Sequence, residues 1–330
     1  MSASPSFSAT SANNLPAWTT VSSAPDMLGE SPFWHPTEKM LYWIDIPGKK
    51  IHRASLDGMV TDGWDMTQEP GCIAPAVRGG LIIALRDGIY RAAHWQAELV
   101  KIASVNYDTA TQRFNDGKCD TAGRFWAGSM FEPRTERLAA LYRLDARDTL
   151  NQRGENKKPP KFEIVQKDAI LANGLGWSPD NKTLYWADTV DQIIHAWDWD
   201  EVTGRMSNKR VFQKFDAKPA GWTPENTLGV NYQGRPDGCA VDTQGNYYIA
   251  MYDGQRILKF AASGTLLATI PTPTRCTTMP CFGGEDMKTL FITTSSFMRP
   301  SDEIKAQPLA GHVFSMQVDV PGLPVNFYQD

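Results

Sequence analysis

The 330-residue sequence has little charge of one sign in excess: 33 Lys and Arg stand against 37 Asp and Glu, a formal net charge of −4. A nucleic-acid groove needs a cationic surplus to replace phosphate counterions, so nucleic acid is excluded as the main partner. Long apolar runs are also missing. No window approaches the roughly 20 consecutive apolar residues that a membrane-spanning helix requires, and no membrane partner is expected. Residues 1–15, rich in Ser, Ala, Thr and Asn, lack the basic start and apolar run of a signal peptide and are read as a flexible N-terminal tail. The five cysteines (Cys72, Cys119, Cys239, Cys276, Cys281) are irregularly spaced with no C-x-x-C pair, which fits reduced thiols in the cytoplasm. A bridge between Cys276 and Cys281 across a turn is the alternative.

Several catalytic signatures are absent. The sequence contains no G-x-S-x-G, no H-E-x-x-H, no P-loop and no G-x-G-x-x-G, which removes the nucleophile elbow and the common zinc and nucleotide motifs. The five histidines (His35, His52, His94, His195, His312) show no helical ligand spacing, so a histidine-built zinc site is not expected. They are read as surface or loop residues.

Helical periodicity is almost missing, whereas short runs of Tyr, Trp, Ile, Val and Phe are abundant and punctuated by Asp-Gly, Gly-Gly and Pro-Asp turns. The chain is therefore all-β. A unit of turn, aromatic strand, small-residue segment and second strand recurs six times. Its equivalent positions Tyr42, Ile83, Phe125, Tyr185, Tyr248 and Phe291 are 41, 42, 60, 63 and 43 residues apart. The shorter steps match the ~40–50 residues of a four-stranded propeller blade. The reading is a six-bladed β-propeller of four-stranded antiparallel blades around a central channel, one domain over residues 16–330. Loop insertions near 147–162 and 204–234 absorb the two long steps. Ala17–Ser22 is placed to complete the last blade.

A propeller gathers the starts of its innermost strands at one mouth of the channel. Four segments carry polar residues there beside turn chemistry: GESPFWHP with Glu30, RFNDGKCDTAGRFWAGSM with Arg113, Asn115 and Asp116, NGLGWSPD with Asn173, and RPDGCAVDTQG with Asp237. These segments, in this order, resemble the family of gluconolactonases, luciferin-regenerating enzymes and senescence marker protein (regucalcin), over about residues 25–327. The resemblance implies one divalent metal ion in the channel, held by Glu30, Asn173 and Asp237. It also implies substrate contacts from Arg113 and Asn115. One departure stands out: GSM is followed by Phe131, Glu132 and Pro133 where relatives often carry consecutive acidic residues. Glu132 is kept as a third substrate contact, while Pro133 alters the loop and leaves the sugar unnamed.

Two carboxylates and an amide carbonyl form an all-oxygen ligand set suited to a hard divalent cation, Ca2+ first, with Mn2+, Mg2+, Zn2+ or Fe2+ also compatible. Three protein ligands leave positions open for water and substrate. The expected partner is a small-molecule sugar lactone, hydrolysed to its aldonic acid, with Asp237 as the candidate catalytic base and a metal-bound water as the alternative. A non-catalytic calcium-binding propeller and a different ester hydrolase on the same fold are the alternatives. Oligomeric state is not legible. Asp45 and Asp188, in the paired YWID and YWAD segments, are assigned to blade architecture, with a substrate contact left open for Asp188.

Overall fold

The structure, a computed structural model, describes residues 16–58, 61–147, 159–227 and 229–330. Short β-branched and aromatic runs divided by turns pair as antiparallel neighbours, and 24 described strands form six four-stranded sheets. After β1 (Thr19–Thr20), the first blade runs outward as β2 (Gly29–His35), β3 (Met40–Asp45), β4 (Lys50–Ser55) and β5 (Thr61–Asp65). The second contains β6 (Pro70–Pro75), β7 (Leu81–Leu85), β8 (Gly88–Ala92) and β9 (Val100–Ser104). The third contains β10 (Gln112–Cys119), β11 (Phe125–Phe131), β12 (Ala139–Asp145) and β13 (Lys161–Ala169). The fourth contains β14 (Ala172–Trp177), β15 (Thr183–Asp188), β16 (Ile193–Asp200) and β17 (Arg205–Lys214). The fifth contains β18 (Arg235–Val241), β19 (Tyr247–Tyr252), β20 (Arg256–Phe260) and β21 (Leu266–Pro271). In the sixth, β22 (Thr277–Gly283), β23 (Thr289–Thr294) and β24 (Phe314–Gln317) follow, with the short helix α1 (Ser301–Ala306) between the last two.

The sixth blade is completed by the N-terminus. Thr19 and Thr20 of β1 pair with Ser315 and Phe314 of β24, as the placement of Ala17–Ser22 predicts. Each innermost strand packs against the next, and β22 returns to β2, closing the ring. All six repeat positions fall on the second strand of a blade, and all are buried. The expected tail at residues 1–15 lies outside the described residues, as does most of the expected insertion near 147–162.

Apolar burial is distributed between blades. Six hydrophobic clusters each join two neighbours, such as Phe33, Tyr42 and Ile44 with Ile73 and Ile83, or Trp34, Leu41 and Trp43 with Cys281 and Phe291. Trp126, Trp177 and Trp199 pack edge-on at 5.3–6.0 Å between the third and fourth blades. With the apolar faces satisfied between sheets, the axis is free to carry polar side chains. The five cysteines are buried free thiols, so the Cys276–Cys281 bridge is not formed. His35 corrects the expectation of surface histidines: it ends β2, is buried, and packs edge-on against Phe327 at 5.3 Å. Asp45 and Asp188 both accept backbone N–H groups, from Met27 and Leu28 and from Ile170 and Val190, and so tie strand ends together.

The turns joining first and second strands share a device. Asp120 Oδ1 accepts the N–H groups of Ala122 and Arg124, and Asp242 Oδ1 accepts those of Gln244 and Asn246. The glycines between, Gly123 and Gly245, have φ of 85° and 81°, which disfavours any side chain there. Asp120 goes further. Its Oδ2 accepts from Arg124 Nε at 2.6 Å and Trp126 Nε1 at 2.8 Å, and both members of the ion pair are fully buried. Asp120→Ala leaves Arg124 as an uncompensated buried charge, and its expected cost is about 3–5 kcal/mol. Urea unfolding measures this, and a stability within about 0.5 kcal/mol of wild type, the range of ordinary surface substitutions, contradicts it.

Candidate active site

A regular strand turns alternate side chains to opposite faces, but here every innermost strand slips in register against its neighbour. The slips fall between Glu30 and Phe33, Phe114 and Gly117, Asn173 and Gly176, and Pro236 and Cys239, with two more in β6 and β22. Such bulges re-aim side chains. The residues after Glu30, Asn115 and Asn173 all take a left-handed backbone: Ser31 at φ 49°, Asp116 at 50° and Gly174 at 58°. Gly238, after Asp237, meets a different constraint, because a Cβ there would lie 2.4 Å from Met279.

The bulges bring Glu30, Arg113, Asn115, Asn173 and Asp237 to one end of the channel, all buried. A line of hydrogen bonds crosses three blades. Arg113 Nη1 donates to Asn115 Oδ1 at 3.0 Å, Asn115 Nδ2 donates to Asn173 Oδ1 at 3.0 Å, and Asn173 Nδ2 donates to Thr189 Oγ1 at 2.7 Å. Thr189 in turn donates to the Pro236 carbonyl at 2.7 Å. Asn115 Nδ2 also donates to the Ala172 carbonyl, so both of its N–H bonds are committed. Asn173 Oδ1 keeps one lone pair free.

Glu30 and Asp237 oppose each other electrostatically. Burial raises the Glu30 carboxyl well above its usual range, and repulsion from Asp237 and Asp116 adds to it. Asp237 is pushed up to about 8, first by burial and then by Asp116 and Asp253, against the downward pull of Arg235 and Arg134. Glu30 Oε2 accepts the Ser31 N–H at 3.0 Å, whereas the Asp237 carboxylate accepts no hydrogen bond from the described residues. Two buried carboxyls with open lone pairs that repel each other are costly to ionise together unless positive charge compensates them. Among the described residues no three His, Cys, Asp or Glu side chains gather as a metal cluster. The Asn173 amide oxygen is a third oxygen atom at this mouth, and with the two carboxyls it is of the donor type that could hold a hard cation.

Glu132 is held back from the channel. Arg86 grips it with both Nη groups at 3.0 Å, Arg113 Nε stands 3.6 Å away, and Glu69 binds the other edge of Arg86. Arg113 itself is pushed down to about 10 by burial, with Arg86 and Arg134 opposing the support of Glu132. Sequence reasoning missed Arg86, Glu69 and Thr189. It singled out Asp116 without a role; this buried carboxyl accepts the Leu175 N–H through Oδ2 while Oδ1 has no hydrogen-bond partner among the described residues. A cavity of about 220 Å3 opens elsewhere in the channel, toward the later residues of the innermost strands, lined by Trp34, Lys118, Gly176, Met279 and residues 323–326. None of the five mouth residues lines it.

The sequence is similar over most of its length to known proteins. The SMP-30/Gluconolactonase/LRE-like region matches residues 28–296. The chain is 37% identical to a 6-deoxy-6-sulfogluconolactonase of Pseudomonas putida, over 90% of this chain and 94% of that protein. It is 32% identical to regucalcin of Danio rerio, over 91% and 94%. The solved structure of a calcium-binding regucalcin of Agrobacterium tumefaciens superposes with a TM-score of 0.82 at 23% identity, over 95% of this chain and 97% of that one, a likeness of fold. The chain belongs to the SMP-30/gluconolactonase/LRE-like family. Among the described residues no helix is long and apolar enough to cross a membrane.

The raised carboxyls make metal-free stability depend on pH. Asp237 holds a proton up to about 8 in the folded chain and releases it near 3.8 when unfolded, and Glu30 and Asp116 shift in the same direction. The folded state therefore binds more protons between those values, and the stability of the metal-free protein falls as pH rises through that window. A bound cation removes the repulsion that grows with ionisation. Thermal unfolding should show Ca2+ raising Tm more at roughly pH 8 than at roughly pH 5. Equal Ca2+ shifts at both pH values would contradict the coupled pair.

Proposed function

We propose that this member of the SMP-30/gluconolactonase/LRE-like family is a metal-dependent lactonase that hydrolyses a sugar-derived lactone to its aldonic acid. The carrying observation is the pair of buried carboxyls, Glu30 and Asp237, opposed in one channel mouth with an amide oxygen as their third companion. The relative named for a sulfogluconolactone supports the reaction class. Glu30, Asn173 and Asp237 would hold one divalent cation, Ca2+ first among the hard ions their oxygens suit. Bound there, such a cation supplies Lewis-acid polarisation of an ester carbonyl and compensates negative charge developing on its oxygen.

Asp237 accepts the proton of the attacking water at a carboxylate oxygen. A carboxylate bound to a cation is ordinarily a poor base, because the positive charge lowers its pKa. Burial and the neighbouring carboxyls push Asp237 in the opposite direction, which offsets part of that lowering. Arg113, pushed down to about 10, remains protonated near neutrality and presents its remaining N–H groups to a substrate oxygen. Asn115, with both N–H bonds committed, fixes the relative position of Arg113 and Asn173. Glu132 acts through Arg86 and Arg113, steadying the guanidinium.

Glu30→Gln, Asn173→Ala and Asp237→Asn should each weaken Ca2+ binding by roughly 100-fold or more, since even an outer-sphere partner is worth about 10–100-fold. Turnover of glucono-δ-lactone at matched metal should fall with them. Arg113→Ala should retain the cation and raise KM. Calorimetry and steady-state assays separate these outcomes. Ca2+ bound tightly with no turnover of any aldonolactone would leave a binding protein rather than an enzyme.

A further inference from the structure

The rim beside Asp237 carries more positive charge than its carboxylates neutralise. Arg134 stands at the tip of the turn after β11, where its N–H closes on the Phe131 carbonyl at 3.0 Å and its backbone is left-handed, φ 58°. The residue is exposed, lies within electrostatic reach of Arg235 and Asp237, and its side chain makes no ion pair or hydrogen bond among the described residues. Across from it, Arg235 opens β18 two residues before Asp237, bonded to Asp253 at 2.9 Å and stacked on Tyr252 at 4.7 Å. The long connection between β17 and β18, within the expected 204–234 insertion whose first part is β17 itself, adds Lys218, which lies 4.9 Å from the Trp222 ring centre and likewise makes no ion pair among the described residues. Arg275 approaches the same ring at 5.4 Å. Arg299 shares Asp253 with Arg235 and is itself held by Glu303.

Five cations thus meet two committed carboxylates, Asp253 and Glu303. Asp237 faces Arg134 and Arg235 but belongs to the proposed cation site, so it does not neutralise the rim. The crowding registers on the exposed members. Arg134 is pushed below its ordinary value by desolvation and then by Arg235, and Lys218 by desolvation, Arg235, Arg134 and Arg299. Cations held together against their mutual repulsion gain from a fixed anion, and a guanidinium presents the fork that matches a tetrahedral oxyanion.

Resting on the lactonase reading, we propose that Arg134 and Lys218, backed by Arg235, recognise a strong-acid oxyanion, a sulfonate or phosphate, carried on the substrate at the end remote from its lactone carbonyl. Arg134 supplies the open fork. Lys218, on a loop that the shorter repeats do not have, supplies a second charge, and the Trp222 ring supports its ammonium group.

The experiment compares glucono-lactone with its 6-phosphate and 6-sulfonate forms on the metal-loaded protein. The three open-chain sugar acids are compared in parallel by calorimetry. Wild type should favour the charged lactones by about tenfold or more in kcat/KM, the size expected of a hydrogen bond to a charged group. The preference should shrink with added salt. Arg134→Ala and Lys218→Ala should each lose several-fold more on the charged lactones than on the neutral one, and Arg134→Lys should recover part of that loss. Equal wild-type rates, or equal losses on both classes, overturn the anion site while neutral turnover keeps the lactonase reading. If no lactone is turned over, Arg134-dependent binding of the charged sugar acids still upholds the anion site, and undiscriminating binding removes it. The ratio between the sulfonate and phosphate arms identifies the oxyanion.

Discussion

A strand left regular would turn successive side chains of an innermost blade edge to the two faces of its sheet, as Phe33 and Trp34 do toward the two neighbouring blades, and none into the channel. The register slips in β2, β10, β14 and β18 break that alternation near the mouth. Left-handed backbone at Ser31 and Asp116 is uncommon for residues with a Cβ and persists only where the surroundings enforce it. Glu30 and Asn115 are the residues just before these turns. Their orientation is set by the backbone, which explains how polar groups so far apart in sequence can oppose one another at a fixed end of the channel.

That constraint works because the blades do not rely on the axis for stability. Six clusters bury the apolar side chains between neighbouring sheets, and β1 against β24 closes the ring. A single central core would have required apolar residues where Glu30 and Asp237 stand. The charge-paired turns at Asp120 and Asp242 anchor first strands to second strands away from the mouth. Strain at the bulges is thus confined to residues whose neighbours are held from both sides.

Much of this arrangement was legible beforehand for a physical reason. Blade strands repeat with aromatic spacing, and the polar residues beside strand-starting turns at Glu30, Asn173 and Asp237 do meet at one mouth. What stayed hidden depends on long-range side-chain contact. Nothing in LRDG marks Arg86 as the partner of Glu132, 46 positions away, and nothing beside Thr189 shows that its hydroxyl bridges Asn173 to Pro236. Pro133 did carry a signal, because it falls in the turn that leaves Arg134 at the rim. The burial of His35 shows the opposite difficulty: a residue read by type as exposed was positioned by the end of a fully buried strand.

The mouth then has two electrostatic zones rather than one. At its depth the carboxyls of Glu30, Asp116 and Asp237 repel one another, while the rim holds Arg134, Arg235, Lys218 and Arg275. With a net charge of only −4, the chain has no strong overall field to set against this local separation, and low-dielectric walls focus local fields within a cleft. A ligand with electron-rich oxygen at one end and a fixed anion at the other experiences both zones in the same orientation. On the lactonase reading, the rim cations would hold a remote anion at the mouth while the carbonyl oxygen descends toward the cation that the carboxyls would bind.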